Sequence, residues 1–190
     1  MIKTLYENFQ KWSSSGSVYI ISDTHFEDLD CKIMDINWIS PEEHINRIKK
    51  CCHKNDTLIH LGDVGNPEWL LQIKSYKVLI MGNHDQSVEK FRPYFDEIYQ
   101  GPLFISEKIL LSHEPIVSDL WVNIHGHDHN PKAKGCEYDI NLASNVVNYT
   151  VFNLGNAIKN GMISNIKGIH RNTIDNATER TIKSGRDKRS

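Results

Sequence analysis

Histidine occupies every second position in the segment VNIHGHDHN, residues 122–130. Imidazole binds metal ions and transfers protons near neutral pH, so His125, His127 and His129 are candidates for either chemistry. If the segment were one strand, all three side chains would point to the same face. Gly126 favours a strand that ends before the last two histidines. Taken alone, the segment leaves a polar strand face and a metal site both open.

Four further motifs place carboxylate, amide or imidazole groups directly after apolar runs, and they read Asp23-Thr24-His25, Gly62-Asp63, Gly82-Asn83-His84-Asp85 and His113. Each has an ordinary explanation when it is considered singly. An aspartate or asparagine after a strand is usually a turn former or a helix cap, and a lone histidine is usually a hydrogen-bonded surface group. Joint occurrence after successive strands favours one shared site, because α/β folds place their sites at the carboxyl ends of parallel strands.

The motifs require strands to position them. Three β-branched apolar runs predict buried strands, at 18–22, 57–61 and 77–81. Shorter strands are predicted at about 103–112, 121–125, 139–143 and 150–154.

Helices are predicted between these strands. The capping box Ser40-Pro41-Glu42-Glu43 begins a helix whose apolar face is Ile45, Ile48 and Cys52. A second helix is predicted from Asn66 to about 73, and a short amphipathic helix over 2–12. Alternating strands and helices predict an α/β fold.

Composition narrows the class of protein. The chain has 190 residues, with 39% hydrophobic and 24% charged residues, which is typical of one globular domain. The net charge of -2 gives no global basic field for nucleic acid or membrane binding. The four cysteines form no C-x-x-C pair and no disulfide framework. We expect a single domain over 1–169, a polar and mobile tail over 170–190, and a cytoplasmic protein without a membrane span.

The five motifs, in this order, resemble those of the calcineurin-like metallophosphoesterase superfamily over roughly residues 17–155. The resemblance implies an α-β-β-α sandwich, in which two facing mixed sheets are flanked by helices. It also implies a metal-dependent phosphoesterase, which hydrolyses phosphate esters through a hydroxide that bridges two divalent metal ions.

The resemblance assigns a role to each site residue. One metal ion would take Asp23, His25, Asp63 and His129. The other would take Asp63, Asn83, His113 and His127, so Asp63 would bridge the pair. His84 would donate a proton to the leaving oxygen or stabilise its charge, and Asp85 would orient His84. His125 and His60 are interpreted as structural.

Nitrogen and oxygen ligands suit manganese, iron, cobalt, nickel or zinc, and we favour manganese. The substrate would be a phosphate-ester small molecule or a nucleotide. No large cap insertion is evident, which predicts an open site and favours phosphodiesters over phosphomonoesters. The connection over 25–44 contains five apolar residues that could line a pocket, although core packing is favoured for them: Phe26, Met34, Ile36, Trp38 and Ile39.

Two alternatives remain. A nuclease would gain support if Lys132, Lys134 and Lys159 clustered near the site, because phosphate contacts normally need basic residues. A non-catalytic metal-binding scaffold is a different class, and retention of every expected ligand and of His84 argues against it.

Overall fold

The structure is a computed structural model that describes residues 11–14, 16–130 and 137–169. The predicted helix over 2–12 lies outside the described residues except for its last two positions, which are helical. The predicted mobile tail over 170–190 also lies outside them.

The first sheet holds the three buried strands predicted from the apolar runs. Its strand order is β4-β3-β2-β1-β9. The first four strands are mutually parallel, and β9 pairs antiparallel to β1. The strands are β1 (Val18–Ile21), β2 (Thr57–His60), β3 (Tyr76–Ile80), β4 (Glu97–Tyr99) and β9 (Phe152–Asn153).

The second sheet has the order β5-β6-β7-β8. Its strands are β5 (Leu103–Ser106), β6 (Ile109–Leu111), β7 (Val122–His125) and β8 (Asp139–Asn141). The single strand predicted over 103–112 is therefore an antiparallel hairpin of β5 and β6, while β6, β7 and β8 run parallel.

Helices flank the sheets. They are α1 (Cys31–Met34), α2 (Pro41–Cys51), a 3₁₀ helix (Pro67–Gln72), α3 (Val88–Phe91) and α4 (Leu154–Lys159). The predicted cap of α2 is confirmed, since Ser40 Oγ accepts a hydrogen bond from the Glu43 backbone N–H at 3.2 Å. The helix predicted from Asn66 is present as the 3₁₀ helix. None of the described helices is long and apolar enough to cross a bilayer.

Alternate residues of the first sheet face two different cores. Ile20, Ile59 and Val78 are paired in register and pack toward the second sheet, which contributes Ile109 and Ile124. Their neighbours Ile21, Leu58 and Leu79 pack on the opposite face, against Ile45, Ile48 and Phe91. Burial on both faces explains the continuous apolar runs in the sequence. The predicted sandwich of two mixed sheets flanked by helices is confirmed.

The connection over 25–44 departs in part from expectation. Phe26 and Trp38 are buried as predicted, at 2% and 6% exposure. Core packing was wrong for Met34 and Ile36, which are 37% and 77% exposed. Met34 ends α1, a single turn in which only Cys31 is buried, and Ile36 lies just after that turn.

Candidate metal centre

The loops after β1 and β2 run side by side beyond the ends of their strands. The backbone N–H of Asp23 donates to Gly62 O, and that of His25 donates to Asp63 O, both at 3.0 Å. The loop after β7 joins them from the second sheet, where Gly126 N–H donates to His113 O at 2.9 Å. These contacts bring motifs from both sheets to one edge of the sandwich.

Several candidate ligands have strained backbones. The φ angles of Asp23, His25, Asp63 and His127 are 53°, 40°, 56° and 68°. These values lie in the left-handed region, which costs of order 1–3 kcal/mol for residues with side chains and tends to occur at functional sites. These left-handed angles turn the loops sharply and direct neighbouring side chains inward. A regular strand would not direct them there.

Two groups of potential metal ligands result. The first comprises Asp23, His25 and His129, and the second comprises Asp63, His113 and His127. In each group the ligand atoms lie within 4.8 Å of one another. In the first, His129 Nε2 lies 3.5 Å from Asp23 Oδ1.

Asn83 completes the second group. Its Oδ1 lies 2.8 Å from His113 Nε2 and 3.1 Å from His127 Nδ1. The two imidazole nitrogens are themselves 3.2 Å apart. The fold therefore brings these three side-chain atoms together.

Asp63 lies between the two groups. Its Oδ2 is 3.7 Å from His25 Nε2 and 3.3 Å from His113 Nε2. Its Oδ1 accepts a hydrogen bond from the backbone N–H of His84 at 2.9 Å, which fixes the carboxylate plane. One oxygen thus faces a histidine of each group, the arrangement that a bridging ligand requires.

The histidine tautomers test whether the site fits metal ions. His25 Nδ1 faces Asp28 Oδ2 at 3.2 Å, and His113 Nδ1 faces Leu61 O at 2.8 Å. His129 Nδ1 faces Asn145 Oδ1 at 2.9 Å. Since each partner is an acceptor, we assign the proton to Nδ1, which leaves the lone pair on Nε2 toward the centre. The residues fit.

The Asn145 amide is oriented by its own second contact, because its Nδ2 donates to His129 O at 2.8 Å. In addition, His25 Nε2 is buried and has no hydrogen-bond partner among the described residues. A buried nitrogen of this kind is normally satisfied, so a cation is its natural partner.

The local electrostatics favour the metal-binding forms of Asp63 and His25 and oppose that of His113. Burial alone would raise the pKa of Asp63, but the hydrogen bond and charge of His113, with the His84 N–H, lower it to about 2. Burial lowers the pKa of His25 although Asp63 and Asp23 oppose that shift. Burial also acts to lower the pKa of His113, yet the hydrogen bond to Asp63 and the charges of Asp23 and Asp63 raise it overall. Metal binding at His113 would therefore compete with a proton.

His84 lies outside both ligand groups of the described residues and is exposed. Its ring centroid is 5.7 Å from that of His25, in an edge-on arrangement. His84 therefore lies beside the first ligand group and is open to solvent.

The orienting contact predicted from Asp85 to His84 is absent among the described residues. Asp85 is buried, and its carboxylate accepts from the backbone N–H groups of Gly82, Asp63 and Val64 at 2.8, 2.9 and 3.1 Å. Burial raises the pKa of Asp85, and these three N–H groups partly offset the effect. Asp85 therefore ties the loop after β3 to the loop after β2.

His60 and His125 lie outside both ligand groups, as expected. The buried His60 accepts from Gly62 N–H at Nδ1 (3.1 Å) and faces Thr24 Oγ1 with Nε2 (2.9 Å). Burial lowers the pKa of His60 to about 3, so it is a neutral crosslink between the loops. His125 Nδ1 faces Gly126 O at 2.7 Å, and its Nε2 lies 2.9 Å from Asp139 Oδ1.

Sequence reasoning missed two residues that support the ligands, Asp28 and Asn145, and it considered Trp38 only as a pocket or core residue. The Trp38 ring centroid lies 5.9 Å from that of His25 and 5.7 Å from that of His129, so Trp38 covers the first group. The position of Asp28 three residues after His25 was a usable signal. Asn145 gave none, because it is 16 residues from His129 and carries no motif of its own.

Comparison with known proteins agrees with this geometry. A family model described as the calcineurin-like phosphoesterase superfamily domain matches residues 17–165. The chain belongs to that superfamily.

Individual relatives carry little functional information. An uncharacterized protein of Methanocaldococcus jannaschii is 30% identical over 178 residues, covering 77% of this chain and 92% of the relative. The crystal structure of a protein of unknown function from Aquifex aeolicus superposes with a TM-score of 0.65 at 27% identity, covering 75% of this chain and 98% of that one. A Pseudomonas putida nuclease reaches a TM-score of only 0.43 at 21% identity, over 58% of this chain and 60% of its own, which is too distant to inform function.

Proposed function

We propose that this protein hydrolyses phosphate esters, with phosphodiesters preferred, at two divalent metal ions of which manganese is favoured. The observation that carries the proposal is the position of Asp63, whose Oδ2 faces His25 of one ligand group and His113 of the other. A single-ion structural site would need neither the shared carboxylate nor the doubled ligand set.

The residues of the chain divide the work. Bound ions would supply Lewis-acid activation of water and of the phosphoryl oxygens. The imidazole nitrogens and the carboxylate of Asp63 provide the electron pairs that would hold them. His84, exposed beside His25, donates a proton to the ester oxygen that leaves, or a hydrogen bond to the charge that develops there. Asp85 acts as a positioning residue for the loops on which Asp63 and His84 lie.

Two cavities support a diester over a monoester. The first, the His44 cavity, has a volume of about 230 Å³ and shares His25 with the first ligand group. The second has a volume of about 310 Å³ and shares Asn83 and His113 with the second ligand group. One cavity thus adjoins each ligand group, and a phosphodiester has one substituent for each of them.

A nucleic-acid substrate would be supported by lysines clustered near the site, and the described residues do not provide such a cluster. Lys159 ends α4, while Lys132 and Lys134 lie outside the described residues. We also propose the cytoplasmic location that the sequence analysis predicted.

The test is hydrolysis of bis(p-nitrophenyl) phosphate and of p-nitrophenyl phosphate by metal-stripped protein, with and without added manganese. We expect manganese-dependent turnover and a higher kcat/KM for the diester. A higher kcat/KM for the monoester would overturn the diester preference. No turnover of either ester by protein that retains two metal ions per chain would favour the scaffold alternative.

A further inference from the structure

We infer that the His44 cavity binds the nucleobase of a nucleotide phosphodiester, with the imidazole of His44 as its hydrogen-bonding partner. The inference rests on the proposed function, because the metal centre places the phosphate and the cavity places the group attached to it.

The cavity begins at the metal centre. Its walls come from the loop after β1, from α1 and from the start of α2, and its lining includes Thr24, His25, Asp28, Trp38, Pro41 and His44. A volume of about 230 Å³ lies below the ~300–1,000 Å³ typical of pockets for drug-sized ligands. It suits one ring system and excludes a larger substituent.

His44 has unused hydrogen-bonding capacity. Its side chain is 3% exposed, and no described residue makes a hydrogen bond to its imidazole. The ring packs edge-on against Phe26 and Tyr149, with centroid distances of 5.7 Å to each. The His44 nitrogens are not among the fully enclosed unpaired atoms of the described residues, and His44 lines the cavity, so a ligand in the cavity can reach them.

The other polar side chains of the cavity are already engaged. Glu27 accepts from Asn66 and Trp69, and Lys32 Nζ donates to Trp38 O at 2.6 Å. The remaining members also have partners, and they are Thr24, His25, Asp28, Cys31 and Ser40. Two lining imidazoles therefore have nitrogens without a partner among the described residues: His25, whose Nε2 belongs to the metal centre, and His44, which is left for a ligand in the cavity.

The chemistry of the cavity selects an uncharged, flat group. Burial lowers the pKa of His44 to about 4, so the neutral ring offers one donor and one acceptor, which match the edge of a heterocycle. Trp38, Ile39 and Pro41 add apolar surface suited to a ring face. The exposed carboxylates of Glu27 and Asp28 disfavour a second phosphate. A nucleobase has a donor and acceptor edge, a flat ring face and no phosphate of its own, so it satisfies all three conditions.

The experiment compares two diesters with the same chromogenic leaving group in the manganese-loaded protein. The p-nitrophenyl ester of thymidine 5′-monophosphate carries a base, and methyl p-nitrophenyl phosphate does not. For His44→Phe we expect KM for the nucleotide ester to rise about tenfold, with methyl ester kinetics unchanged. His44→Gln, which keeps a donor and an acceptor, should recover part of the loss. His53→Phe, at an exposed position, should leave both substrates unaffected.

A second readout does not depend on hydrolysis. Thymidine, which has no phosphate, is titrated into the wild-type protein and into His44→Phe while the indole signals of Trp38, which lines the cavity in both, are followed by NMR. We expect saturable shifts that His44→Phe abolishes. If no ester is hydrolysed but thymidine shifts these signals, the proposed function fails and the base subsite stands. If diesters are hydrolysed while thymidine causes no shift and His44→Phe affects both esters equally, the inference is overturned and the proposed function stands.

Discussion

The backbone N–H of His127 donates to both carboxylate oxygens of Asp23, at 3.1 and 3.0 Å. This contact joins the loop after β7 to the loop after β1, across 104 residues of sequence. Asp23 is fully buried, and its Oδ1 also lies 3.5 Å from His129 Nε2. Asp23, a ligand of the first group, therefore holds the backbone of His127, a ligand of the second group. The two ligand groups are mechanically linked through this contact.

The close approach depends on Gly126. A Cβ at this position would lie 2.0 Å from Asp23 Oδ2 and 2.0 Å from Ser22 Oγ. We predict that Gly126→Ala displaces the Asp23 carboxylate and weakens manganese binding about 10–100-fold, as loss of a ligand-supporting contact does. Titration calorimetry on metal-stripped protein measures the affinity. Gly101→Ala is the control, since its Cβ meets nothing within 4 Å. Equal affinities for the two variants would contradict the linkage.

Asp63→Asn tests the bridge between the ligand groups. Replacing one carboxylate oxygen by an amide removes the charge shared by two cations, so we expect turnover to fall below detection and the metal content to drop below two ions per chain. Elemental analysis of the dialysed protein gives the content. Full occupancy with normal turnover would show that Asp63 does not bridge.

His84→Ala separates catalysis from metal binding. Because His84 lies outside both ligand groups, we expect two metal ions to remain bound while kcat falls by about 10²–10⁴-fold, the usual contribution of a general acid. The same elemental analysis and the diester assay measure both quantities. An emptied site would make His84 a ligand instead.

The apolar runs predicted where the site would form. Ile20, Ile59 and Val78 mark three parallel strands, and parallel strands bring their carboxyl ends to one edge. Side-chain directions within the loops were not predictable in the same way. Adjacency in sequence suggested that Asp85 orients His84, whereas the turn directs its carboxylate to three backbone N–H groups. The contact of Asn145 with His129 likewise depends on tertiary placement of two loops.

Asp85→Asn distinguishes the two roles considered for that residue. The amide nitrogen would place a donor against backbone donors, which leaves buried N–H groups unpaired. We expect the free energy of unfolding to fall by about 2–4 kcal/mol, from one or two lost bonds to a charged acceptor. Urea denaturation of metal-stripped protein measures it. A reduced kcat with unchanged stability would restore the orienting role toward His84.

His44 gives the fold a defined pH dependence. Burial, with a smaller contribution from Arg47 and against that of Glu43, lowers its folded-state pKa from 6.5 to about 4. The unfolded chain then binds more protons than the folded chain between these values, so stability falls as the pH is lowered from 6.5 to 4. The shift corresponds to about 3 kcal/mol.

His60, whose pKa burial lowers to about 3, contributes in the same direction and extends the window downward. Urea denaturation of metal-stripped protein at several pH values should therefore show a smaller loss of stability on acidification for His44→Phe than for the wild type. The matched control is His53→Phe, which makes the same substitution at an exposed position. Parallel curves for wild type and His44→Phe would mean that folding leaves the pKa of His44 near its ordinary value of 6.5, which would contradict the burial of a neutral ring in the His44 cavity.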